Sequence, residues 1–230
     1  VGATFWIYYA KDGEIGAILA FLLNALLMAI TFQLFHFTKR YVGQKEGYIS
    51  LLFYWIGFEY FHFHWELSWP WLTLGNKFAI FPEIVQWYAY SGVLGGTLWV
   101  LLVNLIGFKI ANNLIFNKEN WRIQTPLIYA FGALIFFPSL ISLWSYSSYE
   151  ETKDPIEVVI TQPNIDPYNE KFSGDLKEQL NKFLSLADSV VSPQTTFVLA
   201  PETAISRGFF EEDFEQTEIY SILKKRVRAW

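Results

Sequence analysis

Apolar residues fall along this chain in two regimes. Through residues 1–150 apolar and aromatic positions run together in long blocks, whereas from residue 151 onward they stand between polar ones. A bilayer-spanning helix needs about 20 mostly apolar residues. Four blocks approach that length: 14–37, uncharged after Glu14; 47–64, carrying Glu59; 92–116, carrying Lys109; and 126–144, with no charge. Phe5–Ala10 (FWIYYA) reads as the tail of a further helix. Four such runs in so short a stretch exceed what the buried helices of a soluble protein show. The pattern predicts a multi-pass α-helical membrane domain over residues 1–150 and a water-soluble part over residues 151–230.

The second part reads as α/β. Glu157–Thr161 (EVVIT) is a short β-branched run, hence a strand, and Pro163, Asn164 and Pro167 end it. Asp175 and Glu178 have the spacing of a capping box, after which Leu176, Leu180, Phe183, Leu184, Ala187 and Val191 recur at helical intervals. Ser192–Pro193 closes that helix, and Thr196–Ala200 (TFVLA) is a second strand. Strand, helix, strand predicts a parallel pair joined by a crossover helix. Phe209–Trp230 reads as a final helix, with Glu211, Glu212 and Asp213 at its start and Lys224, Lys225, Arg226 and Arg228 at its end, as a helix dipole favours.

Composition sharpens this picture. Of 230 residues 53% are hydrophobic and 20% aromatic, and 17% are charged, against about 25% in soluble domains. The net charge of −5 argues against a nucleic-acid binder, which needs a basic face to neutralise phosphates. There is no cysteine, which excludes disulfides, thiolate metal sites and a cysteine nucleophile within these residues. The chain begins at Val1 without a signal peptide and ends at Trp230 inside a helical pattern, so it reads as a piece of a longer protein.

Charge also orients the spans. The loop 38–46 carries Lys39, Arg40 and Lys45, and the loop 117–124 carries Lys118 and Arg122 with Lys109 just before it. Both should be cytoplasmic. Lys11–Gly13 and Trp65–Ser91 should then face outward, and four crossings place everything after Ser145 outside as well. The long outer loop holds Trp65, Trp69, Trp71, Phe78, Phe81, Trp87, Tyr88 and Tyr90. Such aromatics form interfacial belts, and a loop lying on the bilayer could equally handle lipid chains.

Three positions stand out chemically. Glu59 lies within an apolar run, where an ionisable group is a functional candidate; near the outer end of its helix, within reach of water, a structural hydrogen-bonding role serves as well. His62 and His64, two apart on a helix, point in different directions, which argues against a metal site built on the pair. Glu202 directly follows the second strand, where α/β sheets gather functional groups. It is either a general base, its pKa raised by partial burial, or a cap for the next element. The basic cluster near Trp230 is read first as dipole complement and second as a lipid-headgroup site.

Three stretches resemble apolipoprotein N-acyltransferase. They are Glu59 with Ser68–Asn76 (SWPWLTLGN), Gly92–Asn104 (GVLGGTLWVLLVN), and Val158–Asn164 (VVITQPN) with Val198–Ala204 (VLAPETA). The last pair is similar to the opening of a nitrilase-like, αββα-sandwich domain of the carbon–nitrogen hydrolase superfamily. The resemblance implies transfer of a fatty acyl chain from a phospholipid donor to the α-amino group of a diacylglyceryl-cysteine apolipoprotein through a thioester, without cofactor or metal. It implies Glu202 as the general base of a Glu–Lys–Cys triad whose Lys and Cys lie beyond Trp230, so that these residues alone would be inactive. It makes Pro70, Trp71 and Glu59 candidates for contact with substrate, although Tyr60 stands where the family often has an arginine after the glutamate. It implies a bacterial inner-membrane location with a periplasmic catalytic domain. A membrane-tethered amide or nitrile hydrolase and a non-catalytic lipid-binding scaffold are the alternatives.

Overall fold

The computed structural model describes residues 5–9, 14–166, 169–202, 204–206 and 208–230. Ala10, the loop Lys11–Gly13, Pro167 and Thr203 of the sequence reading lie outside the described residues. The chain divides into two compact units, residues 1–150 and residues 151–230.

The first unit is helical. Helix α1 runs Glu14–Tyr41, α2 Gln44–Phe63, α3 Tyr88–Ala111 and α4 Trp121–Ser148, and a short 3-10 turn covers Phe5–Tyr9. A π turn, Asn112–Phe116, extends α3. Three helices are long and apolar enough to cross a membrane: Glu14–Tyr41, Tyr88–Phe116 and Trp121–Ser148. Their outward surfaces carry apolar side chains such as Leu19, Leu22, Phe32, Phe108, Phe136 and Phe137, all exposed, as suits a helix whose solvent is lipid. This is a membrane protein.

Helix α2 is the exception among the four expected spans. Its 20 residues would reach about 30 Å, but Lys45, Glu46, Glu59 and His62 dilute its apolar character. Glu59 and His62 turn inward and are buried.

Several boundaries differ from the sequence reading. Helix α1 continues past Phe37 through Lys39 and Arg40 to Tyr41, so two of the expected loop cations sit on a helix. Helix α3 starts at Tyr88, four residues before the expected Gly92, where φ is 64° and the helix breaks. Helix α4 starts ahead of Pro126 because the Asn120 side chain accepts the Arg122 N–H and caps it. Pro138 lies inside α4, and proline leaves the carbonyl four residues earlier without its helical donor. That carbonyl, Leu134 O, accepts the Trp99 indole N–H at 2.7 Å, so α3 satisfies the gap in α4.

The second unit is small and α/β. Strands β1, Glu157–Ile160, and β2, Thr195–Leu199, pair in parallel, with Val158 opposite Phe197 and Ile160 opposite Leu199. Helix α5, Leu176–Asp188, makes the crossover between them. Asp175 caps it by accepting from Lys177 N and Glu178 N. The core is Leu180, Leu184 and Ile219, flanked by Leu176, Phe183, Ile205, Phe209, Phe214 and Leu223. At the amino ends of the strands Glu157 accepts hydrogen bonds from Thr195 and Ser192. These hold its carboxyl below the ordinary value, Thr195 more than Ser192.

The single helix expected over 209–230 is two, α6 over Glu211–Phe214 and α7 over Glu218–Val227. Thr217 starts the second, its hydroxyl accepting the Tyr220 N–H, a local bond that competes with helix continuation. Glu211, Glu212 and Asp213 thus belong to α6, while the basic residues Lys224, Lys225 and Arg226 end α7.

Candidate functional site

Each unit holds a candidate site of its own. In the α/β unit both parallel strands end at one cleft. Gln162, Pro163, Asn164 and Ile165 follow β1, Pro201, Glu202 and Ala204 follow β2, and Lys171 and Gln179 complete the wall of a cavity of about 160 Å³. Asn164 takes a left-handed backbone conformation there, φ 49°, of the kind that clusters at functional sites. Glu202 is exposed at this cleft rather than partly buried. This is the position where open α/β sheets bind ligands, beyond the carboxyl ends of the strands. Lys171 reaches the same place, its ammonium 3.4 Å from the Glu202 backbone carbonyl. The residue types are a carboxylate able to take a proton, a cation beside it, and the amide side chains of Gln162 and Asn164.

In the helical unit Glu59 is the centre of a polar cluster. It is 3% exposed, so the expected access to water is absent. Its Oε1 accepts from Trp55 Nε1 at 3.0 Å and from the Leu74 backbone N–H at 2.9 Å. Its Oε2 accepts the Thr97 hydroxyl at 2.5 Å. The Thr97 oxygen in turn accepts the Gly75 N–H at 3.1 Å, and Tyr88 donates its hydroxyl to the Gly75 carbonyl at 3.1 Å. A Cβ at Gly75 would lie 2.1 Å from the Val93 carbonyl oxygen, so only glycine lets this backbone lie against α3. Glu59 therefore joins α2 and α3 to the segment after Trp71 and bonds to no cation among the described residues.

The aromatic segment between α2 and α3 is a chain of short 3-10 turns at Pro70–Leu72, Gly75–Phe78 and Pro82–Ile84. The Pro70 carbonyl accepts from Asn76 Nδ2 at 2.8 Å and from the Thr73 hydroxyl at 3.3 Å, which closes Pro70–Asn76 on itself. Trp71 projects from it 70% exposed, its ring edge-on to Trp69 with centroids 5.3 Å apart. Trp99 packs beneath the segment against Phe78 and Trp87.

His62 and His64 do not converge. His62 Nδ1 accepts the Trp65 indole N–H at 2.8 Å, which leaves Nε2 to donate to Asn24 Oδ1 at 2.9 Å; indole only donates, so the tautomer is fixed. His64 Nδ1 lies 2.7 Å from the Tyr60 carbonyl. Among the described residues no three His, Asp or Glu side chains gather as metal ligands would.

Residues 1–106 match the family model of the apolipoprotein N-acyltransferase N-terminal domain. Over 232 aligned positions the chain is 28% identical to the apolipoprotein N-acyltransferase of Chlorobaculum tepidum, an alignment that takes in 99% of this chain and 42% of that protein. The chain is thus similar to an apolipoprotein N-acyltransferase along nearly its whole length. It spans less than half the length of that relative, and no solved structure matches it. The match to the domain model ends at Ile106, within α3. The alignment with the acyltransferase also takes in the α/β unit.

Glu59 stands out in an apolar run and Glu202 after a strand, but the residues bonded around them do not. Thr97, the partner of Glu59, and Asn24, the partner of His62, are polar residues within apolar helices, and that is the signal by which they could be found. Lys171, which bonds the Glu202 backbone, and Gln179, which anchors Lys171, carry no such signal, since polar residues are ordinary in an α/β unit.

Proposed function

We propose that the protein carrying this chain transfers a fatty acyl chain from a phospholipid to the N-terminal amine of diacylglyceryl-cysteine apolipoproteins, with Glu202 as general base. The observation that carries the reading is the place of Glu202, at a cleft beyond the carboxyl ends of two parallel strands, in a chain similar to an N-acyltransferase. The α/β unit is under this reading the opening of a nitrilase-like domain.

The chemistry follows. The Glu202 carboxylate takes the proton of a cysteine thiol, and the thiolate adds to the ester carbonyl carbon of the phospholipid. The oxyanion so formed is held by a lysine ammonium. Collapse breaks the acyl C–O bond, the lysophospholipid oxygen takes the proton back from Glu202, and a thioester remains. The lipoprotein amine adds to the thioester carbonyl, the thiolate leaves, and the amine proton passes to Glu202. The cysteine and lysine are supplied from outside these 230 residues, which contain no cysteine. Lys224 and Lys225, at the end of α7, are not the triad lysine.

The membrane part presents the lipidic substrates. Trp71, held outward on the turn that Pro70 opens, is the contact with acyl chains, and Glu59 serves substrate binding indirectly by fixing that turn. Helix α2, its Glu59 and His62 turned inward, acts as a fourth crossing. Cations at one end of the bundle, Lys39, Arg40, Lys45, Lys109, Lys118 and Arg122, then mark the cytoplasmic face. Under this reading the α/β unit lies on the periplasmic side of an inner membrane.

The test uses the complete gene product in phospholipid vesicles with a labelled acyl donor and a diacylglyceryl lipopeptide. Label appearing in amide linkage on the lipopeptide is the expected result. Label released only as free acid, or cleavage of simple amides without transfer, would make the protein a hydrolase, and absence of any turnover would make it a scaffold.

A further inference from the structure

The segment between β1 and α5 is folded back on itself and anchored. The Asp166 carbonyl accepts the backbone N–H groups of Glu170 and Lys171 at 3.1 and 2.9 Å. Gln179, buried on α5, donates its side-chain amide to the Glu170 carbonyl at 2.6 Å and to the Lys171 carbonyl at 3.5 Å. A Cβ on Gly174 would stand 2.6 Å from the Glu170 oxygen and 3.0 Å from the Gln179 amide nitrogen, so a glycine is needed for the segment to lie this close to α5. The backbone of Lys171 is thereby fixed from two sides. Its side chain leaves this anchor toward the cleft, passes the Phe172 ring at 5.9 Å, and donates to the backbone carbonyl of Glu202, 31 residues further along.

We infer that Lys171 is a positioning residue for Glu202, tying the segment after β2 to the strap built on Gln179 so that the carboxylate is held at the cleft. The inference rests on the general-base reading of Glu202. Glu202 sits three residues past Leu199, which with Ile160 forms the last pair of the sheet. Beyond that point the ladder no longer fixes the chain, and a small displacement of a catalytic group is expensive in rate. Lys171 supplies a bond where the ladder stops. The role differs from that of the triad lysine, since Lys171 bonds a backbone carbonyl and the oxyanion is held by another residue.

The experiment is acyl transfer by the complete protein carrying Lys171→Met, Lys171→Arg, Gln179→Leu or Glu202→Gln, with thermal unfolding measured alongside. Lys171→Met should lower kcat about tenfold or more with KM for both substrates unchanged. Lys171→Arg should recover most of that loss because a guanidinium can still donate to the carbonyl. Gln179→Leu, which unties the strap without touching Glu202, should lower kcat in the same way and serves if Lys171→Met fails to fold. Wild-type kcat in Lys171→Met or Gln179→Leu, a loss confined to KM, or an arginine variant no better than methionine would overturn the proposal while Glu202→Gln remains inactive. Full transfer by Glu202→Gln would instead remove the general-base reading on which it stands.

Discussion

Replacing Glu59 tests whether the buried carboxylate organises the segment between α2 and α3. In Glu59→Ala two N–H donors with fixed directions, Leu74 N and Trp55 Nε1, lose their acceptor. The Thr97 hydroxyl loses its acceptor too but can rotate. An orphaned buried donor costs about 1–3 kcal/mol, so the two fixed donors together cost about 2–6 kcal/mol. Glu59→Gln is the control. Its carbonyl oxygen can replace Oε1 and keep both N–H bonds, leaving only the threonine hydroxyl to find another partner, at about 1 kcal/mol. Lys77 is exposed on the turn Gly75–Phe78, directly after the anchored Leu74 and Gly75. Trypsin cleavage after Lys77 in detergent therefore reports release of the segment, and thermal unfolding reports the global cost. The alanine variant should be cleaved faster and melt lower, with glutamine close to wild type. Equal cleavage in all three proteins, or a glutamine variant as impaired as alanine, would refute the reasoning.

Other consequences are as direct. Gly75→Ala drives a Cβ into the Val93 carbonyl at 2.1 Å and should open the same segment to trypsin with Glu59 intact. Trp99→Phe keeps the packing but leaves Leu134 O without a donor beside Pro138; a loss of about 1–3 kcal/mol in detergent unfolding is expected. Asp175→Ala removes the cap of α5 and should cost about 1 kcal/mol. Glu157 is held below its ordinary pKa by Thr195 and Ser192. A carboxyl lowered in the folded state contributes stability above its unfolded pKa and loses it as pH falls through the folded one. The difference in melting temperature between wild type and Thr195→Val should therefore shrink on acidification below the ordinary glutamate range; a difference that persists unchanged would contradict this.

The outline of both units was legible because it rests on periodicity. Unbroken apolar runs gave the three lipid-suited helices, and a β-branched run, a capped helical repeat and a second such run gave the parallel pair. What escaped was set by single long-range bonds. The Trp99 bond to Leu134 O, the Thr97 bond to Glu59 and the Gln179 bond to Glu170 join residues 35, 38 and 9 positions apart, and no local pattern encodes them. The break between α6 and α7 turned on one threonine that prefers capping to continuing a helix. Glu59 stands out by its charge, but its bonds come from Trp55 on its own helix and from Leu74 and Thr97 on two other segments. Glu202 was placed by the strand before it, whereas Lys171, anchored by a glutamine on a helix, left no mark in the sequence.

The most direct test of the central claim is acyl-enzyme formation by the complete protein. Mass spectrometry after a single exposure to phospholipid, before any lipopeptide is added, reads whether one acyl chain joins the protein in hydroxylamine-sensitive, thioester linkage. The account predicts that linkage in the wild type and its absence in a folded Glu202→Gln variant. A thioester forming as fast in the variant would show that Glu202 is not the base.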